Sequence, residues 1–122
     1  MSYIDGFLLA VPSDKRDAYR ALADKSWSLF KEWGAIRHVE CWSDDVPHGK
    51  TTDFFRAVKA EDGESVVFSW IEYPSKEVRD AANKKMREDP SMKEWGEEMK
   101  FVDGKRMVFG GFLPIMDRRA DS

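Results

Sequence analysis

Between Tyr3 and Val11 the chain alternates with period two. Tyr3, Asp5, Phe7, Leu9 and Val11 fall on one side, and Ile4, Gly6, Leu8 and Ala10 on the other. Both sides are largely apolar, which predicts a strand buried on both faces. Pro12-Ser13 closes it, with Ser13 placed to cap the next element. From Asp14 to Trp33 the spacing becomes helical: Tyr19, Leu22, Ala23, Trp27, Phe30 and Trp33 recur at steps of three and four and share one stripe. Gly34 stands just past the last of them, where a helix C-cap needs positive φ, which glycine adopts at low cost.

Ala35 to Trp42 reads as a second strand, followed by a loop, Asp44 to Lys50, fixed by Pro47 and Gly49. Asp53 to Ala60 and Ser65 to Tyr73 read as two hairpin strands turned at Asp62-Gly63. Pro74-Ser75 opens a second helix that runs to about Asp89, where Pro90 stops it. Ser91-Met92-Lys93-Glu94 has the spacing of a capping box, and Met92, Trp95 and Met99 share a face of a short third helix. Asp103-Gly104 turns the chain into a last strand, Lys105 to about Ile115. The pattern predicts a single domain over residues 1–116 and a polar tail over 117–122.

Set one hairpin strand aside and the order is βαββαβ, the split unit of a ferredoxin-like α+β fold. Its helices cover only one face of the sheet. The other face is not polar, because Val66, Phe68 and Trp70 share one parity in the hairpin, and Val67 and Ile71 the other. The last strand repeats this with Met107, Phe109 and Leu113 against Val108 and Phe112. At about 25 cal/mol per Å² of apolar area, a wet face forfeits several kcal/mol. No sequence remains for a third layer, so the economical cover is a second copy of the chain about a two-fold axis.

Composition narrows the classes. The chain has 122 residues, with 20 Lys and Arg against 23 Asp and Glu, a formal charge of −3. That balance argues against a broad basic surface for nucleic acid. The single Cys41 excludes an internal disulfide framework and multi-cysteine zinc sites. No apolar run approaches the roughly 20 residues of a membrane span. The expectation is a cytoplasmic protein without membrane or nucleic-acid partners.

The residues least suited to a dry core are His38, Glu40 and Trp42, which share a parity in the second strand. Their alternation with Val39 and Cys41 predicts that the trio faces the second subunit, while Cys41 faces the helices as a small buried hydrophobe. An imidazole beside a carboxylate and an indole suits deprotonation of a small aromatic or enolisable molecule, with His38 as base and Glu40 orienting it. The same pair also suits a purely structural hydrogen-bonded role. Trp70 is the candidate for stacking a planar ligand between the sheets, and Arg56 and Arg106 are candidate cations for an anionic one. Asp44, Asp45 and His48 are too few and too close in sequence to predict a metal centre, so none is expected. Gly104-Lys105-Arg106 with Gly110-Gly111 lacks the spacing of a phosphate loop.

Several stretches resemble one known family: Tyr3-Ile4-Asp5-Gly6-Phe7, Glu40 through Lys50 (Glu-Cys-Trp-Ser-Asp-Asp-Val-Pro-His-Gly-Lys), Val66-Val67-Phe68-Ser69-Trp70-Ile71, Ser75 through Asp80, and Asp103 through Phe112. Together they are similar to the YbaA-like family, domain of unknown function 1428. The resemblance implies the dimeric α/β-barrel fold, in which two ferredoxin-like units face their sheets together. It implies no particular reaction, since that superfamily spans cofactor-free monooxygenases, haem-handling enzymes and small stress-related proteins. The functional expectation is therefore a homodimer acting without a cofactor on a small, partly aromatic molecule between its two sheets. The alternative is a non-enzymatic dimer with a packed interior.

Overall fold

The computed structural model describes residues 2–121; Met1 and Ser122, the outer ends of the expected domain and tail, lie outside the described residues. Strand β1 (Tyr3–Pro12) leads through a 3₁₀ turn into helix α1 (Arg16–Glu32) and then strand β2 (Arg37–Trp42). The four-residue helix α2 (Phe54–Ala57) precedes strand β3 (Glu64–Tyr73). Helices α3 (Lys76–Glu88) and α4 (Pro90–Glu98) follow, then a 3₁₀ turn and strand β4 (Val108–Phe112). The sheet has four strands in the order β2-β3-β1-β4, all neighbours antiparallel. This is the βαββαβ arrangement that the alternation predicts.

Helix α1 forms as its stripe dictates, with Tyr19, Leu22, Ala23 and Phe30 buried against the sheet. Gly34 ends it at φ 108°. Ser75 caps α3 by accepting the Val78 N–H. Two cap expectations change. The Ser13 hydroxyl pairs with Ser65 at 2.8 Å and caps nothing. Helix α4 starts at Pro90, one residue after the break expected there, and its cap is Asp89, which accepts the Ser91 N–H; the Ser91–Glu94 spacing is not the cap. Proline at the first helical position is favourable, because its missing N–H is an orphan there anyway.

The larger correction concerns Asp53 to Ala60. It forms no extra hairpin strand. Asp53 accepts the Arg56 N–H at 2.8 Å and winds one helical turn, and Lys59 adopts φ 51°. The segment folds over the sheet, where Val58 is fully buried with Ala10 and Val66, and Phe55 packs beside them. It thus covers one end of the face that the long helices leave bare. The last strand is also shorter than expected, with Leu113 and Ile115 beyond it and exposed.

Parity assigns the two faces. Tyr3, Asp5, Leu9, Val11, Val67, Ser69, Ile71 and Tyr73 are buried beneath the helix layer. Phe68, Val108 and Phe112 stand on the other face at 47, 46 and 62% exposure, with Phe54 of α2 edge-on to Phe68. The Phe112 ring lies over Gly6 and Gly110, so glycine keeps this part of the face flat. Residues 117–121 are exposed and carry neither helix nor strand. Among the described residues no helix is long and apolar enough to cross a membrane.

Candidate functional site

On the edge strand β2, His38 sits opposite Ile71, Glu40 opposite Ser69 and Trp42 opposite Val67. Those three β3 residues are buried under the helices. The trio therefore faces the helix layer and not a second subunit. Cys41, expected to face the helices, alternates away from them and is exposed. Polar side chains are expected away from a core, whereas here α1 supplies a partner for them inside it through Tyr19.

Tyr19 of α1 donates its hydroxyl to Glu40 Oε1 at 2.6 Å, and His38 Nε2 lies 2.5 Å from Glu40 Oε2. A carboxylate accepts, so Tyr19 donates to it, and with Nε2 as the donor from His38 the lone pair of the neutral form of the imidazole lies on Nδ1. Burial, reinforced by the adjacent Glu40, pushes the Tyr19 phenol well above its ordinary range, so it stays a donor at neutral pH. The His38 ring is fixed edge-on to Phe30 at 6.2 Å and tilted against Trp27 at 6.4 Å. Trp42 packs on Tyr19 at 6.5 Å.

Two cavities meet at this cluster. A groove of about 740 Å³ runs between α1 and the edge strand, bordered by Arg16, Arg20, Arg37 and Trp27. A second cavity, of about 480 Å³, lies between the helices and the sheet, walled by Phe7, Phe30, Ile71, Met86, Met92 and Met99. Tyr19, Ala23, His38 and Glu40 line both, so the hydrogen-bonded trio Tyr19, Glu40 and His38 stands between the arginine-bordered groove and the more apolar cavity.

Across the sheet the inner cavity has another polar edge. Arg79 Nε and Nη2 reach Asp5 Oδ1 at 2.9 and 2.8 Å, and its Nη1 reaches Asp80 at 2.9 Å. The hydrogen bonds that Arg79 donates to Asp5 raise the Arg79 pKa further, which holds the guanidinium in its charged form beside that carboxylate. Tyr73 lies beside it, fully buried.

The remaining sequence candidates are dispersed. Trp70 stands on the opposite face of the sheet, its Nε1 donating to Glu72 at 3.2 Å and Arg37 over its ring at 5.9 Å. Arg56 donates to the carbonyls of Gly49 and Lys50 in the loop before α2. Arg106 binds Glu64 through two nitrogens at 2.7 and 2.8 Å, Asp103 at 3.0 Å and the Lys59 carbonyl. Neither arginine lines either cavity. His48 stacks on Phe55 at 4.5 Å with Nδ1 3.7 Å from Asp53. Among the described residues no group of three His, Cys, Asp or Glu side chains is disposed to hold a metal ion.

Tyr19, Tyr73, Asp5 and Arg79 were not singled out by the sequence as site residues. Tyr19 belongs to a regular core stripe and Tyr73 ends a strand, and neither position advertises a polar partner. The one available signal was Asp5, a carboxylate on an otherwise apolar parity of β1.

Comparison with known proteins places these features. A family model described as "Protein of unknown function (DUF1428)" matches residues 2–103. The chain is 68% identical over 117 residues to the uncharacterized protein YbaA of Escherichia coli strain K12, covering 96% of this chain and 99% of the relative. The Shigella flexneri YbaA matches to the same extent, 68% over 117 residues. Among solved structures, a dimeric ferredoxin-like protein from an uncultured marine organism aligns with TM-score 0.64 at 14% identity, over 98% of this chain and 99% of that one. SnoaB, a cofactor-independent oxygenase from Streptomyces nogalater, aligns with TM-score 0.52 at 9% identity, over 95 and 94% of the two chains. At such identities the structural likeness speaks for the fold alone.

Proposed function

The chain belongs to the YbaA family of proteins of unknown function (DUF1428), and on that premise we propose that it binds a small, partly aromatic molecule and acts on it by acid–base chemistry without a cofactor. The proposed site is the cavity between helices and sheet instead of the space between two sheets, because His38 and Glu40 face the helices. One observation carries the reading: the imidazole of His38, oriented by Glu40, which Tyr19 holds in turn, lines a cavity of about 480 Å³ whose remaining wall is largely apolar. His38 Nδ1 takes a proton from a bound phenol or enolisable C–H, the substrate keeps the electron pair, and Glu40 stabilises the imidazolium that forms. SnoaB, described as a cofactor-independent oxygenase, shares the fold, which supports the cofactor-free part of the reading by analogy of fold alone.

The working unit of this proposal is a homodimer. Phe54, Phe68, Val108 and Phe112 form one exposed apolar surface on the bare sheet face, and a second copy is the cover that matches it. The dimeric description of the marine neighbour supports the same arrangement.

Titration calorimetry with 2-naphthol tests the site. Wild type binds it, and His38→Ala and Glu40→Gln remain folded dimers that bind at least tenfold more weakly. If 2-naphthol neither binds nor raises the melting temperature, and both substitutions merely lower that temperature, the trio is structural. The second reading, a non-enzymatic dimer, then stands; the mutual closure of Tyr19, Glu40 and His38 is what favours it.

A further inference from the structure

Tyr73 is 0% exposed, and its hydroxyl is the buried side-chain polar atom that finds no hydrogen-bond partner among the described residues. It lines the inner cavity together with His38 and Glu40. Buried polar groups are hydrogen-bonded as a rule, so an orphaned hydroxyl in a residue of the cavity wall marks where a bound molecule gains by supplying an acceptor, once the side chains covering that hydroxyl shift to admit it. Burial, with Asp5 adding to it and Arg79 opposing it, pushes the Tyr73 phenol up, which keeps it a donor. Arg79 beside it has Nε and Nη2 on Asp5 and Nη1 on Asp80, so two carboxylates already share its one positive charge and a third is disfavoured. The acceptor that suits this end is therefore neutral.

Register fixes the separation of the two ends. His38 pairs with Ile71, and Tyr73 is one pleat step farther along β3 on the same face, so their Cα atoms are about 8 Å apart across the sheet. Phe30 and Met92 pack around Tyr73 and Ile71 in one apolar cluster, where thioether and ring suit a flat hydrophobic body.

Resting on the reading of the inner cavity given above, we propose that its ligand is a two-ended hydroxyaryl ketone of about two rings, with the acidic hydroxyl at His38 and a neutral carbonyl accepting the Tyr73 hydroxyl. The juxtaposition selects a class: a hydroxyl alone fills one end and leaves Tyr73 unpaired, and a carboxylate brings a charge that the Asp5–Arg79 pair does not answer.

The test uses two probes of nearly the same shape, 6-hydroxy-1-tetralone and 5,6,7,8-tetrahydro-2-naphthol, which differ in the ketone. Calorimetry on wild type is expected to favour the ketone by about tenfold, the scale of one neutral hydrogen bond in a buried site. Tyr73→Phe, which removes a hydroxyl without a protein partner, is expected to unfold no earlier than wild type. It erases the preference and leaves the tetrahydronaphthol affinity unchanged. Equal binding of both probes to wild type, or a preference that survives Tyr73→Phe, overturns the role of Tyr73 while the cavity reading stands. If neither probe binds, the cavity reading for this chemical class fails and the inference falls with it.

Discussion

His38 and Glu40 are two residues apart on an edge strand, and their side chains meet at 2.5 Å beneath helix α1. Strand geometry puts both on one face, but only the helix decides what that face is. Tyr19 supplies the second donor to Glu40 at 2.6 Å, and with it a charged group becomes tolerable below the helices. Tyr19→Phe is accordingly expected to lose roughly 1.5–3 kcal/mol in urea unfolding, the range for a hydrogen bond to a charged group.

The same phenols set the alkaline limit of stability. Tyr19 and Tyr73 both have folded pKa values raised above the ordinary value of 10.0. Their protonated forms are therefore favoured by folding, fully so below pH 10. As pH rises past that value the unfolded state releases protons that the folded state holds, and stability falls. Urea midpoints measured between pH 9 and 11 should fall in wild type and fall less steeply in Tyr19→Phe.

On the acid side the corresponding group is Glu64. Its hydrogen bonds from Arg106 hold its carboxyl below the usual range, so its contribution is present above about pH 4.5 and is lost as pH falls through the lowered value. Arg106 ties β3 to the turn before β4 and also reaches Lys59, so Arg106→Ala should lower the melting temperature by several degrees at pH 7. The difference from wild type should shrink toward pH 3. A ligand-binding role for Arg106 predicts instead an unchanged melting temperature and a loss of ligand affinity.

Gly34 is a position where backbone and packing agree. At φ 108° only glycine is unstrained, and a Cβ there would stand 2.5 Å from Val78 Cγ1. Gly34→Ala should cost about 1–3 kcal/mol, read as a lower urea midpoint.

The topology was legible because it follows from alternation and helix stripes. The α1 stripe from Tyr19 to Phe30 needs no tertiary information, and the turn at Asp62-Gly63 marks itself, Gly63 having φ 80°. Asp53 to Ala60 was misread because its aromatic residues carry high strand propensity, while the Asp53 cap that winds it into a turn is a single hydrogen bond. The shared face of His38, Glu40 and Trp42 was legible and its direction was not. His38, Glu40 and Trp42 share a parity in any strand, but Tyr19, 21 residues away, is what draws that parity inward. The orphaned hydroxyl of Tyr73 was invisible in the sequence, since an unpaired hydroxyl is a property of the folded surroundings.

The bare sheet face gives an assembly prediction. Phe68 and Phe112, at 47 and 62% exposure, are central to it and remote in parity from His38. Phe68→Arg with Phe112→Arg should halve the mass seen by light scattering, from about twice the 14.1 kDa chain to a single chain. An unchanged mass places the interface elsewhere.

Where a ligand sits is the most direct check on the central claim. Crystals soaked with 2-naphthol should show difference density in the cavity between helices and sheet, its oxygen within hydrogen-bond reach of His38 Nδ1 and its rings against Phe30 and Met92. Density confined to the bare sheet face around Phe68 and Trp70, with the His38 cavity unchanged, would contradict it.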